Sequence, residues 1–168
     1  NEDIKIYING EFFHRDQAKI SVFDSGFLLG DGIWEGIRLV NNSWLFLNEH
    51  LDRLYEGCKA IDIRLDEDKK FLTNAIIETQ KINNITDAAH ARVMVTRGNK
   101  IKPFQQPSLS KDGINLVIIM EHSEEHPNTD GVKLVTVPQV RGLPMSQDPK
   151  LNSHSKLNCI IACIQANK

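Results

Sequence analysis

Apolar and polar residues alternate through "KIYINGEFF", residues 5 to 13, and the alternation is interrupted once, at Asn9-Gly10. A period of two puts every second side chain on one face of a strand, and Asn-Gly readily takes the positive-φ pair of a two-residue hairpin turn. The pattern predicts two short strands joined at residues 9 and 10. "IWEGIRLVNNSWLFL" repeats the design, with Asn41-Asn42 able to enter the left-handed region at the turn. Two hairpins argue for an antiparallel sheet. From Asn48 the period changes: in "NEHLDRLYEGCKAI", Leu51, Leu54, Tyr55, Cys58 and Ile61 fall at helical spacing, with Asn48 as the expected N-cap. A second helix, "DEDKKFLTNAIIETQKIN", offers Phe71, Leu72, Ala75, Ile76 and Thr79 to a core behind acidic residues suited to its positive end. "ARVMVTRG" and "INLVIIMEH" then read as buried strands.

Between the hairpins, "VFDSGFLLGDG" places glycines at 26, 30 and 32, which either let backbone approach another segment or merely turn the chain. The run is not a dinucleotide-binding fingerprint, because the strand–turn–helix context and the later acid are missing. "EHSEEHPNTDG" is polar and turn-rich, so a boundary is expected near residue 124, followed by a strand in "VKLVTVPQV" and a last helix in "SKLNCIIACIQANK". Residues 1–123 thus read as an N-terminal α+β domain, an antiparallel sheet packed with helices. Residues 124–168 read as a linker and the beginning of a second domain. Ser155 is the expected cap of the last helix, with Leu157, Ile160, Ile161 and Ile164 on its buried side. That helix carries apolar residues to its end without a Gly or Pro stop, so the second domain is expected to be truncated.

Composition removes several classes. The chain has 168 residues, 40% of them hydrophobic, and a net charge of −2, which leaves no basic footprint for nucleic acid. No run of 18 apolar residues occurs, so no membrane span is expected. Cys58, Cys159 and Cys163 are odd in number and sit among apolar neighbours in expected helices, which suggests buried, reduced thiols and a cytoplasmic setting. His122 and His126 would share a helix face, but "EHSEEHP" ends in proline and offers no third ligand, so the solvated-loop reading prevails over a metal site.

The remaining chemistry gathers in "QDPKLNSHSKLNC", which holds Lys150 and Lys156. With Ser155 as cap, Lys156 falls in the first helical turn, where the dipole favours negative charge by about 0.3–1 kcal/mol. A cation is misplaced there. A lysine that attacks a carbonyl must be neutral, and desolvation or nearby positive potential favours that form. On these residues alone, a solvated lysine swinging away from the helix end is the plainer alternative. His154 is placed to tune the proton affinity of this loop, or only to cap it or meet solvent.

The whole pattern carries more. "INGEFF", "VFDSGFLLGDGIWEGIRLVNNSWLFLNEHLDRLYEGCKAI", "ARVMVTRG" and "SHSKLNCIIACIQANK" together resemble the class IV, fold-type IV pyridoxal-phosphate enzymes, the family of branched-chain and D-amino-acid aminotransferases and aminodeoxychorismate lyase. The most specific part is "GDGIWEGIR…FLNEHLDRL", with glycines, acid and arginine at fixed spacing. The resemblance implies pyridoxal 5′-phosphate as cofactor, an amino acid and a 2-keto acid as substrates (branched-chain-like), and a homodimer. It implies that Arg53 holds the cofactor phosphate, for which a planar guanidinium is well suited; its plainer alternative is a surface pairing with Glu49. Lys156 matches the Schiff-base lysine, with Lys150 as the rival. Trp34 and Arg38 share one strand face and match substrate-pocket positions, as does Arg92 in "ARVMV". Arg97 reads as structural or solvated. Two other readings stay open: a lyase of the same fold, and a non-catalytic α+β domain in which Lys156 is structural.

Overall fold

In the computed structural model, which describes residues 1–123 and 131–168, both expected hairpins form at their asparagines. Asn9 and Gly10 take φ of 50° and 98°, and Asn41 and Asn42 take 49° and 59°, the positive pairs that match the twist of the flanking strands. They join β1 (Lys5–Ile8) to β2 (Glu11–His14), and β3 (Gly32–Val40) to β4 (Ser43–Trp44). A short helix, α1 (Ser25–Leu29), lies between the hairpins. After β4 come α2 (Leu47–Ala60) and α3 (Lys69–Ile82), then β5 (Ala89–Thr96) and β6 (Asn115–His122). The strands form one antiparallel sheet in the order β2-β1-β6-β5-β3-β4.

The alternation along β3 decides what lies on each face. Ile33, Ile37 and Leu39 turn towards α2 and α3, in register with Val95, Ala91 and Ala89 of β5, and all six are fully buried. Leu51, Leu54 and Cys58 of α2 and Leu72, Ala75 and Ile76 of α3 complete this core. Full burial of each large aliphatic side chain contributes about 1.5–3 kcal/mol, so the helical layer is held by one sheet face. Gly57 lets α2 lie directly on Ile33, whose methyl would be 2.9 Å from an added Cβ.

Several expectations are corrected. α2 begins at Leu47, behind Phe46 in the left-handed region at φ 52°, and Asn48 is inside the helix instead of capping it. Asp68 caps α3, accepting from the Phe71 amide, and the Phe71 side chain faces solvent at 43% exposure instead of the core. The last helix, α4 (Leu157–Ala166), has Lys156 itself at its N-cap, with no side-chain cap from Ser155. Leu157, Ile160 and Ile164 are exposed, as are Cys159 and Cys163, so only Cys58 is a buried thiol. "VKLVTVPQV" is not a strand: among the described residues no neighbouring segment supplies a ladder, and Val132, Leu134 and Val135 stand in solvent. An apolar alternation specifies a strand only where a partner satisfies its backbone. The boundary expected at residue 124 and His126 lie outside the described residues.

Candidate active site

The even-numbered residues of β3 face away from the helices. Across the sheet they form four rows, Gly32–Thr96–Asn115, Trp34–Met94–Val117, Gly36–Arg92–Ile119 and Arg38–His90–Glu121. A cleft of about 410 Å³ lies on this face, lined by Trp34, Arg92, Met94 and Thr96 from the sheet, by Asp24 and Phe27 of the first glycine-rich segment, and by His154 and Lys156.

Residues 152–154 reach the cleft by using the free edge of β3, which β4 covers only at its far end. The Trp34 amide donates to the Asn152 carbonyl at 2.9 Å, the His154 amide donates to the Gly32 carbonyl at 2.9 Å, and Ser153 bridges Ile33. The Trp34 indole N–H donates to the Ser153 carbonyl at 3.2 Å. The glycines have a specific purpose here. An added Cβ on Gly26 would lie 2.9 Å from His154 Nδ1, one on Gly30 would lie 3.1 Å from Ser155 Cβ, and one on Gly32 would lie 3.1 Å from His154 Cε1. The three glycines are the bed on which the segment before α4 rests.

Lys156 is thereby delivered over Trp34. Its Nζ donates to Asn152 Oδ1 at 3.0 Å and stands 5.1 Å from the indole centroid, while the Arg92 guanidinium carbon lies 4.2 Å from the same centroid. Two cations on one electron-rich ring form a positively charged, aromatic corner, each contact contributing about 0.5–2 kcal/mol according to its solvation. Lys150 is exposed, donates its amide to Asp148 at 2.9 Å, and does not line the cleft. Trp34, Arg92 and Lys156 are therefore brought together.

Arg38 shares the Trp34 face but sits two rows away, donating to the Ser123 carbonyl at 3.2 Å and lying beside His90. Burial, reinforced by Arg92 and Arg38, pushes the His90 imidazole below its ordinary 6.5. Arg53 lies on the opposite, helix-covered side of β3. Its Nε and Nη2 grip the two Glu35 carboxylate oxygens, each at 2.6 Å, and His50 Nδ1 is 2.8 Å from the same carboxylate. Glu35 is fully buried whereas the Arg53 side chain is 54% exposed. The Glu35 hydrogen bond raises the guanidinium pKa further and fixes its charge. The sequence carried a signal for this partner: in "IWEGIRLV" a glutamate occupies the apolar phase of the strand, where only a satisfied charge can stay. Arg97 pairs with Asp31 at 2.7 Å and donates to the Ile61 and Asp62 carbonyls, tying the end of β5 to the end of α2.

Asp24 is the second buried carboxylate. It accepts from the Thr96 hydroxyl at 2.5 Å, from the Asn115 amide at 2.7 Å and from the Phe27 N–H at 3.0 Å, so both of its oxygens are hydrogen-bonded within the cleft wall. Burial pushes the His154 imidazole below 6.5, against the opposing pull of the Ile33 backbone and Asp24. Among the described residues, no cluster of three metal-ligating side chains occurs and no helix is long and apolar enough to cross a membrane.

The sequence and the fold have parallels among known proteins. The family model for amino-transferase class IV matches residues 32–168, and the chain belongs to that family. It is 38% identical over 165 residues to a putative branched-chain-amino-acid aminotransferase of Methanocaldococcus jannaschii, covering 98% of this chain and 56% of that one. The branched-chain aminotransferase of the archaeon Thermoproteus uzoniensis, solved with norvaline, superposes with a TM-score of 0.83 at 21% identity, over 96% of this chain and 55% of that one. Another branched-chain amino acid aminotransferase, solved with pyridoxamine 5′-phosphate, superposes with a TM-score of 0.85 at 21% identity, over 95% of this chain and 54% of that one. The chain thus spans about half the length of these relatives.

Proposed function

We propose that this chain carries the catalytic lysine of a pyridoxal 5′-phosphate-dependent aminotransferase that moves an amino group from a branched-chain-like amino acid to a 2-keto acid. The observation that carries the reading is the seating of the Lys156 amine at the mouth of a cleft that also contains an aromatic ring and an arginine. The residues fit the cofactor where its aldehyde would be held: a primary amine with one neutral acceptor, Asn152, at the edge of a space large enough for a small aromatic ring. Arg53, with one guanidinium edge on Glu35 and half of its side chain exposed, is the phosphate candidate that the family resemblance implies, although it lies across β3 from the cleft and does not line it.

When bound, pyridoxal phosphate supplies an electron sink for the carbanion left by loss of the substrate α-proton. Lys156 would hold the cofactor, and its Nζ would be the base that takes the proton from the substrate Cα. Arg92 offers a fork of donors for a substrate carboxylate, and the Trp34 ring sets the floor on which an apolar side chain would rest. A branched-chain amino acid and its 2-keto acid would both find a cation and an apolar surface here. Homodimer formation and a cytoplasmic location are further parts of the proposal.

The test is a peptide map of the full-length protein after incubation with pyridoxal 5′-phosphate and borohydride reduction. The expected result is an adduct concentrated on Lys156 and abolished in Lys156→Ala. An adduct concentrated on Lys150, or scattered over surface lysines, would overturn the assignment of the anchor.

A further inference from the structure

The segment that seats Lys156 is held by one side chain that the proposed chemistry does not use. His154 lies two residues before Lys156, and its backbone N–H donates to Gly32 at 2.9 Å. Its ring rests against Gly26 and Gly32, where no Cβ could be added without contacts of 2.9 and 3.1 Å to the imidazole. Its Nε2 is buried with no hydrogen-bond partner among the described residues. A buried ring nitrogen without a partner is destabilising, and the ring remains because it fills a slot that two glycines leave open. Burial also keeps the imidazole below its ordinary 6.5, so near neutrality the slot holds an uncharged ring.

We propose that His154 is a positioning residue for Lys156, its ring acting as a wedge between Gly26, Gly32 and the β3 edge that fixes where the lysine amine stands over Trp34. The assignment deepens the proposed function and depends on it for its catalytic meaning, though the wedge itself can be measured without cofactor. With the ring in place, residues 152–154 are pinned at three backbone points and Lys156 enters α4 in one register. Without it, the segment keeps its backbone bonds to β3 but loses the packing that sets the chain's height above the sheet. A displacement of about 1 Å at a reacting group is enough to cost on the order of a hundredfold in rate.

The experiment is competitive acetylation of the full-length, cofactor-free protein with trace acetic anhydride, reading the Lys156:Lys150 labelling ratio by mass spectrometry. Lys150 is exposed and serves as the internal standard for reagent dose, while cooperative unfolding of each variant excludes a general loosening. His154→Ala is expected to raise the ratio by about threefold or more as Lys156 leaves Trp34 and Asn152 for solvent, while His154→Gln, which reaches nearly as far as the ring, is expected to stay below that. Should the alanine variant fail to fold, His154→Asn carries the same expectation. A smaller rise in a cooperatively folded Ala or Asn variant, or an equal rise in the Gln variant, overturns the proposal. Absence of trapped cofactor on Lys156 in the unmodified protein would sink the functional reading alone, leaving the labelling ratio to decide the role of His154.

Discussion

Glu35 is the residue whose burial constrains the most. A carboxylate with no exposed surface is tolerated only because Arg53 meets it at both oxygens and His50 at one. Arg53→Ala would leave that charge with a single partner. Removing one partner of a buried pair costs about 3–5 kcal/mol, and the half-exposed arginine brings the expectation to about 2–3 kcal/mol, read as a lower urea midpoint. Adding Glu35→Gln to Arg53→Ala should recover about 1 kcal/mol or more, because the second change removes the stranded charge; additive losses would show that the pair is uncoupled. Part of this is legible in the sequence. The period of two in "IWEGIRLV" puts Trp34 and Arg38 on one face and, by the same count, Glu35 on the other. The partner of Arg53 is not legible by local spacing, since Glu49 is four residues away on the same helix while Glu35 reaches it through tertiary packing.

At the scale of elements, the strands and hairpins follow from alternation and turn chemistry, whereas helix starts do not. α2 starts behind Phe46 in a conformation that propensity disfavours for an aromatic residue. The placing of Lys156 is also only half legible. "SHSKLN" marks a polar approach to a helix, but apart from the Trp34 indole bond, the bonds that dock it on β3 join backbone N–H and C=O groups, which leave no side-chain signature. Glycines differ in the same way. Gly10 and Gly98 both have positive φ, yet an added Cβ meets nothing within 4 Å at Gly10 and would fall 1.7 Å from the Gly113 carbonyl oxygen at Gly98. Gly10→Ala is therefore expected to cost about 1–2 kcal/mol from backbone conformation alone. Gly98→Ala should cost about 3 kcal/mol or more, because backbone in the β5–β6 connection must move. Thermal unfolding of the two variants compares them directly, and equal losses would mean that the connection yields freely.

For the whole molecule, acid sensitivity follows from two partly buried imidazoles. His90 and His154 both have folded pKa values below 6.5, chiefly through burial. Between the folded and unfolded values the unfolded chain binds more protons, so this contribution to stability is intact above about pH 6.5 and is lost as the pH falls towards the folded values. Unfolding midpoints should be flat from about pH 8 to 7 and decline from about pH 6.5 to 5, and His154→Gln should flatten part of that decline. A midpoint that rises on acidification would contradict the sign.

The strand order has its own consequence. β1 fills the place between β2 and β6, with Tyr7 opposite Ile118 and Ile8 opposite Val117. On the ribosome the first hairpin therefore emerges with one strand edge bare, and its partner is translated only after β3, both long helices and β5. At synthesis rates of roughly 5–20 residues per second, that wait is on the order of ten seconds. Throughout it the nascent chain presents a pairing edge of the kind that recruits chaperones or neighbouring chains, so the yield of this protein in a cell depends on how that edge is guarded while β6 is still being made.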